Sequence, residues 1–416
     1  MHIKGKTEEG CTICGKKHSF DMPNSLIEDF VNNKIVIFAG AGISTENNSV
    51  YPYTLYDDIK DKLKISKKEK ILFSDLMELY TKQTNGRARL IEIIQDRFDY
   101  VKGFPELYNR ATKFHQEIST IFLIDLIITT NWDDYFEQET HSKAFVTADD
   151  YALWNVKARK VFKIHGSINN YGSLVISKSD YNKCYKKLRD GILGSTLKHL
   201  LGTKTIVYVG YSFNDEDFQR IYKTLKNEMK NIIPHSYIIT LDRNSIGKFN
   251  NLGFTTICTD ATFFFEILKK HLVKKKVMIE DHKYDQLPFV LNKVYNTQDK
   301  LLGIFDYTKN PECIYTTSYL DGIKHAFERL MALRNTGTYS NPNYINGIFN
   351  GYRKKRKYML MKHRYFDVSY IDGYMVGIQY FVSDNRVRKL LPLYYIYGNA
   401  DYIFVRNIKE YLLLLE

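Results

Sequence analysis

The chain has 416 residues, a hydrophobic content of 44% and a formal net charge of +13. This length and hydrophobicity support real cores in two or three domains. Five scattered cysteines argue against a disulfide framework and for a reduced, cytoplasmic setting. The most apolar run, residues 121–128, is too short to span a bilayer and contains Asp125, so we expect a soluble protein without a membrane partner.

Residues 1–20 form a polar extension with one Cys-x-x-Cys pair. Cys11 and Cys14 have the spacing of half a zinc site, and His18 follows them. No second Cys-x-x-Cys occurs in the chain, so a zinc site here is a weak candidate. We favour a flexible extension with two surface thiols, and we expect no metal to be required for catalysis.

The first strand-and-turn pattern is at residues 34–44, with the sequence Lys-Ile-Val-Ile-Phe-Ala-Gly-Ala-Gly-Ile-Ser. The β-branched and aromatic run predicts a buried strand, and the Gly-Ala-Gly after it predicts a tight turn. Gly40 and Gly42 let the backbone approach a ligand closely, and Ser44 adds a hydroxyl. The pattern suits a phosphate or pyrophosphate at the edge of a parallel sheet, although many α/β turns carry Gly-x-Gly.

Helices and strands alternate from about residue 25 to residue 272. A helix at residues 26–31 precedes the opening strand, and apolar residues at three- and four-residue spacing predict a helical insertion after the turn. The insertion helices are predicted at residues 53–64, 69–82, 87–100 and 106–119. Further strands are predicted at 121–129, 160–164, 173–177, 204–209, 236–241 and 255–258, with helices at 214–230 and 262–270. This alternation predicts an α/β fold, a doubly wound parallel sheet.

The character of the sequence changes near residues 274–286, which are lysine-rich and polar and indicate a linker. The Tyr-rich region after it has a helix predicted at 322–333. Residues 366–382 alternate around Asp372-Gly373, which predicts a hairpin, and 391–405 indicate more strand. The predicted organisation is an extension at 1–20, an α/β domain at 21–280 and a C-terminal α+β domain at 285–416.

Polar clusters follow six strands of the predicted sheet. Ligands of doubly wound sheets bind at the carboxyl ends of the strands, so the clusters are expected to share one crevice. Each has an innocent interpretation, since Asn131 and Asn214 can cap helices and His165 can be an ordinary loop histidine. Polar clusters at six successive strand ends are harder to explain as six unrelated caps and loop residues. The clusters are residues 40–44, 129–133, 165–167, 210–215, Asp242 and 260–261.

In this order the motifs resemble those of the sirtuin family, over roughly residues 25–272. The match extends to the divergent sirtuin-like branch found in bacterial anti-phage defence. The resemblance implies a Rossmann-like sirtuin core that takes NAD as its substrate. The motifs are Gly-Ala-Gly-x-Ser at 40–44, Thr-x-Asn-x-Asp at 129–133, His-Gly at 165–166, Ser-Asp-Tyr at 179–181 and Gly-Tyr-Ser-Phe-Asn-Asp at 210–215.

The resemblance also implies roles for residues that contact NAD. The glycine-rich turn would cradle the pyrophosphate, and Gly210 and Ser212 would hold phosphate and ribose from the other side. Asp242 would accept hydrogen bonds from the adenosine ribose, and Asp260 would line the adenine pocket. The implied NAD-binding residues are Gly40, Ala41, Gly42, Ser44, Gly210, Ser212, Asn214, Asp242 and Asp260.

Three residues are implied to be catalytic. Asn131 would orient a water or a ribose hydroxyl, and Asp133 would bind the carboxamide or stabilise positive charge. His165 is the candidate general base, because an imidazole titrates near the operating pH. Breaking the nicotinamide–ribose bond builds oxocarbenium character, which a fixed carboxylate and aligned dipoles stabilise.

Two departures from the family decide the expected reaction. Deacylating sirtuins carry a zinc ribbon of two Cys-x-x-Cys pairs after the His-Gly motif, whereas here only Cys184 lies between His165 and Gly210. The Pro-Asp-Phe-Arg element expected after the glycine-rich turn is also missing. We therefore expect NAD hydrolysis to nicotinamide and ADP-ribose by a defence effector. The alternatives are an NAD-dependent protein deacylase and a catalytically silent subunit that binds NAD or nucleic acid.

Expected partners follow from the resemblance and from one basic run. An NAD hydrolase has to be held inactive in the cell, so we expect a homo-oligomer and a protein partner such as a HerA-type ATPase. The basic run stands among aromatic residues and suits nucleic-acid phosphates, a solvated face or an acidic protein. It consists of Arg353, Lys354, Lys355, Arg356 and Lys357.

Overall fold

A computed structural model describes the chain at residues 20–44, 50–51, 53–211, 222–223, 227, 229, 234–279, 311–333 and 336–382. The chain divides into two compact units between His271 and Leu272. The predicted domain boundary at 280–285, the strand at 391–405 and most of the helix at 214–230 lie outside the described residues. Within the described ranges, no helix is long and apolar enough to cross a membrane.

The first unit is built on a seven-stranded sheet. Its strands stand in the spatial order β3-β4-β2-β1-β5-β6-β7, and every neighbouring pair is parallel. The predicted doubly wound α/β fold is confirmed. The strands are β1 Ile35–Ala39, β2 Leu126–Thr129, β3 Lys143–Phe145, β4 Lys160–Lys163, β5 Thr205–Val209, β6 Tyr237–Thr240 and β7 Thr255–Cys258.

The strand order reverses at β1. Ile37 pairs with Ile127 of β2 on one side and with Val207 of β5 on the other. Because parallel crossovers are right-handed, the connections to the two sides place their helices on opposite faces of the sheet. The turns after β1, β2 and β5 therefore meet at the carboxyl edge, where doubly wound sheets bind ligands.

The helices of the first unit cover both faces of the sheet and include the predicted insertion. Thr54 with Asp57, and Ser177 with Asp180, form capping boxes that start two of these helices. The insertion consists of α2 to α5, as predicted. The helices are α1 Asn24–Val31, α2 Leu55–Lys62, α3 Phe73–Thr81, α4 Gly86–Gly103, α5 Pro105–Ser119, α6 Tyr135–Thr140, α7 Lys178–Asp190, α8 Ile192–Thr203, α9 Ile246–Asn251 and α10 Ala261–Lys274.

The core explains why the central strands are apolar throughout. Every residue of β1 and β5 is buried. Val36 and Phe38 of β1 share a buried cluster with Leu188 of α7 and Leu197 of α8. The pattern is that of a parallel sheet covered on both faces, and it fixes the strand ends that carry the polar clusters.

Three sequence predictions about strands need correction. Residues 173–177 are not a strand, because Ser177 caps α7 and the turn Tyr171–Ser173 precedes it. The predicted strand at 121–129 is shorter, since the Ile124 amide donates to Ile121 O and closes a turn there. Strand β3 escaped prediction because three residues carry too little periodicity.

The second unit has helices α11 Pro311–Ala332, α12 Pro342–Met361 and α13 Tyr365–Val382. The helix predicted at 322–333 is confirmed as part of α11, but the hairpin predicted at 366–382 is wrong, because α13 runs through it unbroken. A Cβ at Gly373 would lie 1.9 Å from Tyr319 O, so this glycine allows close packing of α13 on α11. The alternation that suggests a hairpin reflects a helix buried on most sides.

Candidate active site

The turns after β1 and β5 are in backbone contact. The Gly40 amide donates to Val209 O at 2.9 Å, and the Gly42 amide donates to Gly210 O at 3.1 Å. A Cβ at Gly40 would lie 2.5 Å from Gly210 O, and Gly210 has a φ of +58°. Both turns therefore need glycine, and the structure brings these predicted residues together.

The glycine-rich turn continues as a short 3-10 helix, Ala41–Ile43. Its amides already serve the turn, because Ile43 donates to Gly40 O and Ser44 donates to Ala41 O. The pyrophosphate cradle implied for these residues stays a prediction. The Ser44 side chain is fully buried and points to a different set of partners.

Ser44, Asn131 and Asp133 form one buried cluster. The Ser44 hydroxyl donates to Asp133 Oδ2 at 3.0 Å, and Asn131 Nδ2 lies 3.3 Å from Ser44 Oγ and donates to Gly40 O at 3.2 Å. The backbone N–H of Asn131 donates to Thr129 Oγ1 at the end of β2. The cluster thus joins the turn after β1 to the turn after β2.

One acceptor of this cluster is unsatisfied. Asn131 is 5% exposed, and its Oδ1 atom has no hydrogen-bond partner among the residues that the structure describes. A buried acceptor without a donor is costly in a protein core. Its position suits a hydroxyl group of a ligand or a water, as the resemblance implies.

The Asp133 carboxyl is buried and forms no direct ion pair with the residues that the structure describes. Oδ2 accepts from Ser44, and Oδ1 accepts from the Tyr135 amide at 3.3 Å. Burial raises the pKa of Asp133 to about 6, and the Lys163 ammonium and the Ser44 hydrogen bond act in the opposite direction. A carboxylate held this way responds strongly to charge that develops beside it.

Lys163 is a residue of the site that the sequence reasoning missed. It ends β4, and its side chain is fully buried. Its ammonium donates to the carbonyl oxygens of Trp132 and Asp133 and forms an ion pair with Glu137 at 2.9 Å. The signal was a lysine that directly follows apolar residues at the end of a predicted strand, in Lys160-Val-Phe-Lys.

His165 follows β4 in a tightly fixed loop and is 5% exposed. Its carbonyl accepts from the Val175 amide at 3.0 Å, and Gly166 has a φ of +86° with Ser173 in close contact. The Ile168 amide donates to Trp132 O at 2.8 Å, which links this loop to the turn after β2. The loop therefore lies beside the Asn131 cluster, on the neighbouring strand.

The His165 ring packs against Tyr181, with ring centroids 5.0 Å apart in an edge-to-face arrangement. Tyr181 lies in the first turn of α7, which the Ser177–Asp180 capping box begins. Arg87 of the insertion pairs with Asp180 at 2.6 Å. The Ser-Asp-Tyr motif thus contributes to the position of His165 and ties the insertion to the sheet.

The two remaining described candidates lie further along the sheet. Asp242 follows β6, and its carboxylate accepts from the Asn244 amide at 3.0 Å and from the Ser245 hydroxyl. Asp260 follows β7 and accepts from the Phe263 amide at 3.0 Å, so it caps α10. Both carboxylates take part in local turns, and their roles toward NAD stay predictions.

Several predicted residues lie outside the described residues, namely Ser212, Asn214, Cys11, Cys14 and His18. In the described part of the chain, no group of His, Cys, Asp and Glu has the arrangement of a metal site. Cys184 is buried, and its thiol contacts Ile164 O at 3.6 Å within the core.

Residues 125–254 match the family described as SIR2-like domain. Over this range the chain is similar to the SIR2-like domain family. The resemblance predicted from the motifs is confirmed, and the matched range contains Asn131, Asp133, Lys163 and His165. The glycine-rich turn after β1 precedes the matched range and meets it in space through Ser44.

Two curated relatives are similar to this chain over more than half of its length. "NAD(+) hydrolase ThsA" of Enterococcus faecium is 27% identical over 293 residues, which are 61% of this chain and 59% of the relative. "Defense-associated sirtuin 2" of Bacillus subtilis is 20% identical over 276 residues, which are 63% of this chain and 25% of the relative. The chain thus matches less than two thirds of the length of either protein.

A solved chain described as "Structural Basis for the Mechanism and Regulation of Sir2 Enzymes" covers 61% of this chain at 12% sequence identity. The match covers 99% of the solved chain and has a TM-score of 0.30. The α/β fold of the first unit is shown by the order and parallel direction of its own seven strands.

Proposed function

We propose that the SIR2-like domain hydrolyses NAD to nicotinamide and ADP-ribose, and that the protein is an effector of anti-phage defence. The names of the two relatives support this proposal, one as an NAD hydrolase and one as a defence-associated sirtuin. The observation that carries it is the buried Ser44–Asn131–Asp133 cluster at the reversal point of the sheet, with His165 on the adjoining strand.

The chemistry of the cluster fits cleavage of the nicotinamide–ribose bond. Asn131 offers a buried, unsatisfied carbonyl oxygen to a ribose hydroxyl or a water. The Asp133 carboxylate, held by Ser44 and the Tyr135 amide, stabilises the positive charge that builds on the ribose. His165 removes a proton from the attacking group as the general base.

Water is the proposed acceptor. The cysteine pairs of a deacylating zinc ribbon are absent from the sequence between His165 and Gly210, and Cys184 is committed to the core. The zinc ribbon, which helps form the acyl-lysine channel of deacylating sirtuins, is therefore missing from this stretch of sequence. Hydrolysis is favoured over transfer of an acyl group.

Control by assembly is proposed with the activity, through a homo-oligomer or a partner such as a HerA-type ATPase. Nucleic-acid binding through α12 is a weaker proposal. Four side chains of the run are exposed, those of Arg353, Lys354, Lys355 and Lys357, whereas Arg356 forms an ion pair with buried Asp372 at 2.5 Å. Salt-dependent binding of DNA that weakens in a Lys354→Ala, Lys357→Ala variant tests it.

The activity is tested by incubating the purified full chain with NAD, alone and with the product of the neighbouring gene. We expect release of nicotinamide and ADP-ribose, and loss of both in Asn131→Ala and His165→Ala. His199→Ala is the matched control, because His199 is exposed on α8 away from the strand ends. Undiminished release by both site variants would contradict the assigned roles.

A further inference from the structure

Lys163 is a buried cation at the end of β4, which lies between β3 and β2, and burial of an ammonium needs strong compensation. The residue is 1% exposed, although it pairs in the sheet beside Thr129 of β2. Each of its three N–H bonds has an acceptor. These are the carbonyl oxygens of Asp133 and Trp132 and the carboxylate of Glu137.

Two of the three acceptors belong to the turn that carries the catalytic candidates. The ammonium donates hydrogen bonds to the backbone carbonyls of Trp132 and Asp133. Ser44, in the turn after β1, donates to the Asp133 carboxylate. The Asp133 side chain and its own carbonyl are thus fixed by different elements. Small displacements of such groups lower the catalytic rate, because the rate depends on the geometry of the reacting atoms.

We propose that Lys163 is a positioning residue for Asp133, with Glu137 balancing the charge of its ammonium. The ammonium binds the carbonyl oxygen of Asp133, and within the described residues the carboxylate forms no direct ion pair but accepts from Ser44. The carboxylate is thus left available to the ribose of the proposed substrate. The inference rests on the proposed NAD-cleaving function of the same site.

The charges around Asp133 give the proposal a measurable sign. The positive charge of Lys163 lowers the pKa of the Asp133 carboxyl, and the negative charge of Glu137 raises it. The negative charge of Asp133 in turn contributes to the raised pKa values of the nearby Tyr108 and Tyr135 phenols. The groups that face this region are Lys163 on β4, Glu137 and Tyr135 on α6, Tyr108 on α5, Asp134 before α6 and the buried, neutral His115 on α5.

The test compares three variants by the pH profile of NAD cleavage. In Lys163→Met the acidic limb of kcat moves up by about one pH unit, and kcat falls on the order of 10²-fold as the turn loses its anchor. In Glu137→Gln the limb moves to lower pH, with a smaller change in kcat. The double variant Lys163→Met, Glu137→Gln removes both charges and shows a limb between the two.

The control is Lys160→Met on the same strand, whose ammonium binds Ala158 O at 3.3 Å and lies near the Trp154 ring. It keeps the wild-type profile. A merely structural role for Lys163 predicts lower kcat or lower thermal stability with an unmoved pH limb. If Lys163→Met does not fold, the downward shift in Glu137→Gln still decides the matter, and an unmoved limb there overturns the proposal.

A second readout separates this inference from the proposed function. Carbon-13 resonances of aspartate carboxyls, with the Asp133 signal assigned by its loss in Asp133→Asn, report its titration without any substrate. We expect the midpoint to rise in Lys163→Met and to fall in Glu137→Gln. A wild-type chain that releases no nicotinamide contradicts the proposed function, whereas unmoved carboxyl midpoints contradict the role of Lys163.

Discussion

Two buried aspartates show how differently the two units treat a carboxylate. In the second unit, Asp372 is bound by the guanidinium of Arg356 at 2.5 and 3.2 Å. In the first unit, Asp133 is bound by a serine hydroxyl and a backbone amide, and the nearby ammonium of Lys163 binds its backbone instead. Burial raises the pKa of both carboxyls.

The contrast separates a structural carboxylate from a reactive one. Asp372 has its charge neutralised by a bidentate partner, so it can fix α13 against α12 but can do little else. Among the described residues Asp133 has no bidentate cationic partner, and it lies beside the Asn131 carbonyl oxygen, which no described residue satisfies. A buried carboxyl with a raised pKa and no cationic partner among the described residues is typical of functional sites.

The largest effect that tests this contrast is on catalysis. We expect Asp133→Asn to lower the rate of NAD cleavage by on the order of 10²–10³-fold, because the amide cannot stabilise a developing positive charge. The folded state should be at least as stable as wild type, since a neutral group is easier to bury. Initial rates and thermal unfolding measure both. Asp190→Asn, at an exposed pair with Arg189, is the control.

The opposite pattern is expected for Asp372→Ala. Loss of one partner leaves the Arg356 guanidinium without its buried carboxylate, and the second unit should lose about 3–5 kcal/mol of unfolding free energy. Urea unfolding measures the loss. The matched control is Asp367→Ala at the exposed pair with Arg364, which is expected to change stability by less than about 1 kcal/mol. Equal losses in both variants would contradict a structural role specific to Asp372.

Asp133 should also give stability a pH dependence of its own. Its pKa is raised to about 6 in the folded chain, so the neutral form is favoured there. The stabilisation is fully present below pH about 4 and is lost as the pH rises through about 6, by up to about 3 kcal/mol. Unfolding free energies from pH 4 to 7, compared with those of Asp133→Asn, isolate this contribution. A wild-type slope that persists in the variant would assign it to other groups.

The smallest expected effect concerns the contact of the two turns. Gly40→Ala places a Cβ 2.5 Å from Gly210 O, and the repair should cost about 1–3 kcal/mol and displace Ser44 from Asp133. Denaturant unfolding gives the stability, and the KM for NAD reports the displacement. Gly247→Ala on α9 meets no atom within 4 Å and serves as the control. An unchanged KM in Gly40→Ala would show that the turn does not set the geometry.

The sequence predicted the parts of the fold that depend on local pattern. Apolar runs predicted six of the seven strands. Gly40, Asn131 and His165 were predicted as site residues because glycine or polar residues follow the ends of those runs. The short strand β3 and the shortened β2 depend on pairing with neighbours and could not be seen locally. The interpretation of residues 366–382 as a hairpin failed because Gly373 serves a helix contact with Tyr319, a partner distant in sequence.

The same limit applies to the site. The turn residues were predicted, but Lys163 was missed, since a lysine at a strand end usually points to solvent. Only the folded chain shows that its ammonium is enclosed by Trp132, Asp133 and Glu137. Burial and pairing are tertiary properties, so a buried charge cannot be told from an exposed one by its position in the sequence.

The most direct measurement is hydrolysis of NAD in heavy-oxygen water by the full chain, with ADP-ribose analysed by mass spectrometry. The proposed mechanism predicts nicotinamide release and one solvent oxygen in each ADP-ribose, with both lost in Asp133→Asn. ADP-ribose added separately to the same water controls for exchange at the anomeric carbon. Nicotinamide release into a product without solvent oxygen, or turnover undiminished in Asp133→Asn, would contradict the proposal that this site cleaves NAD with water.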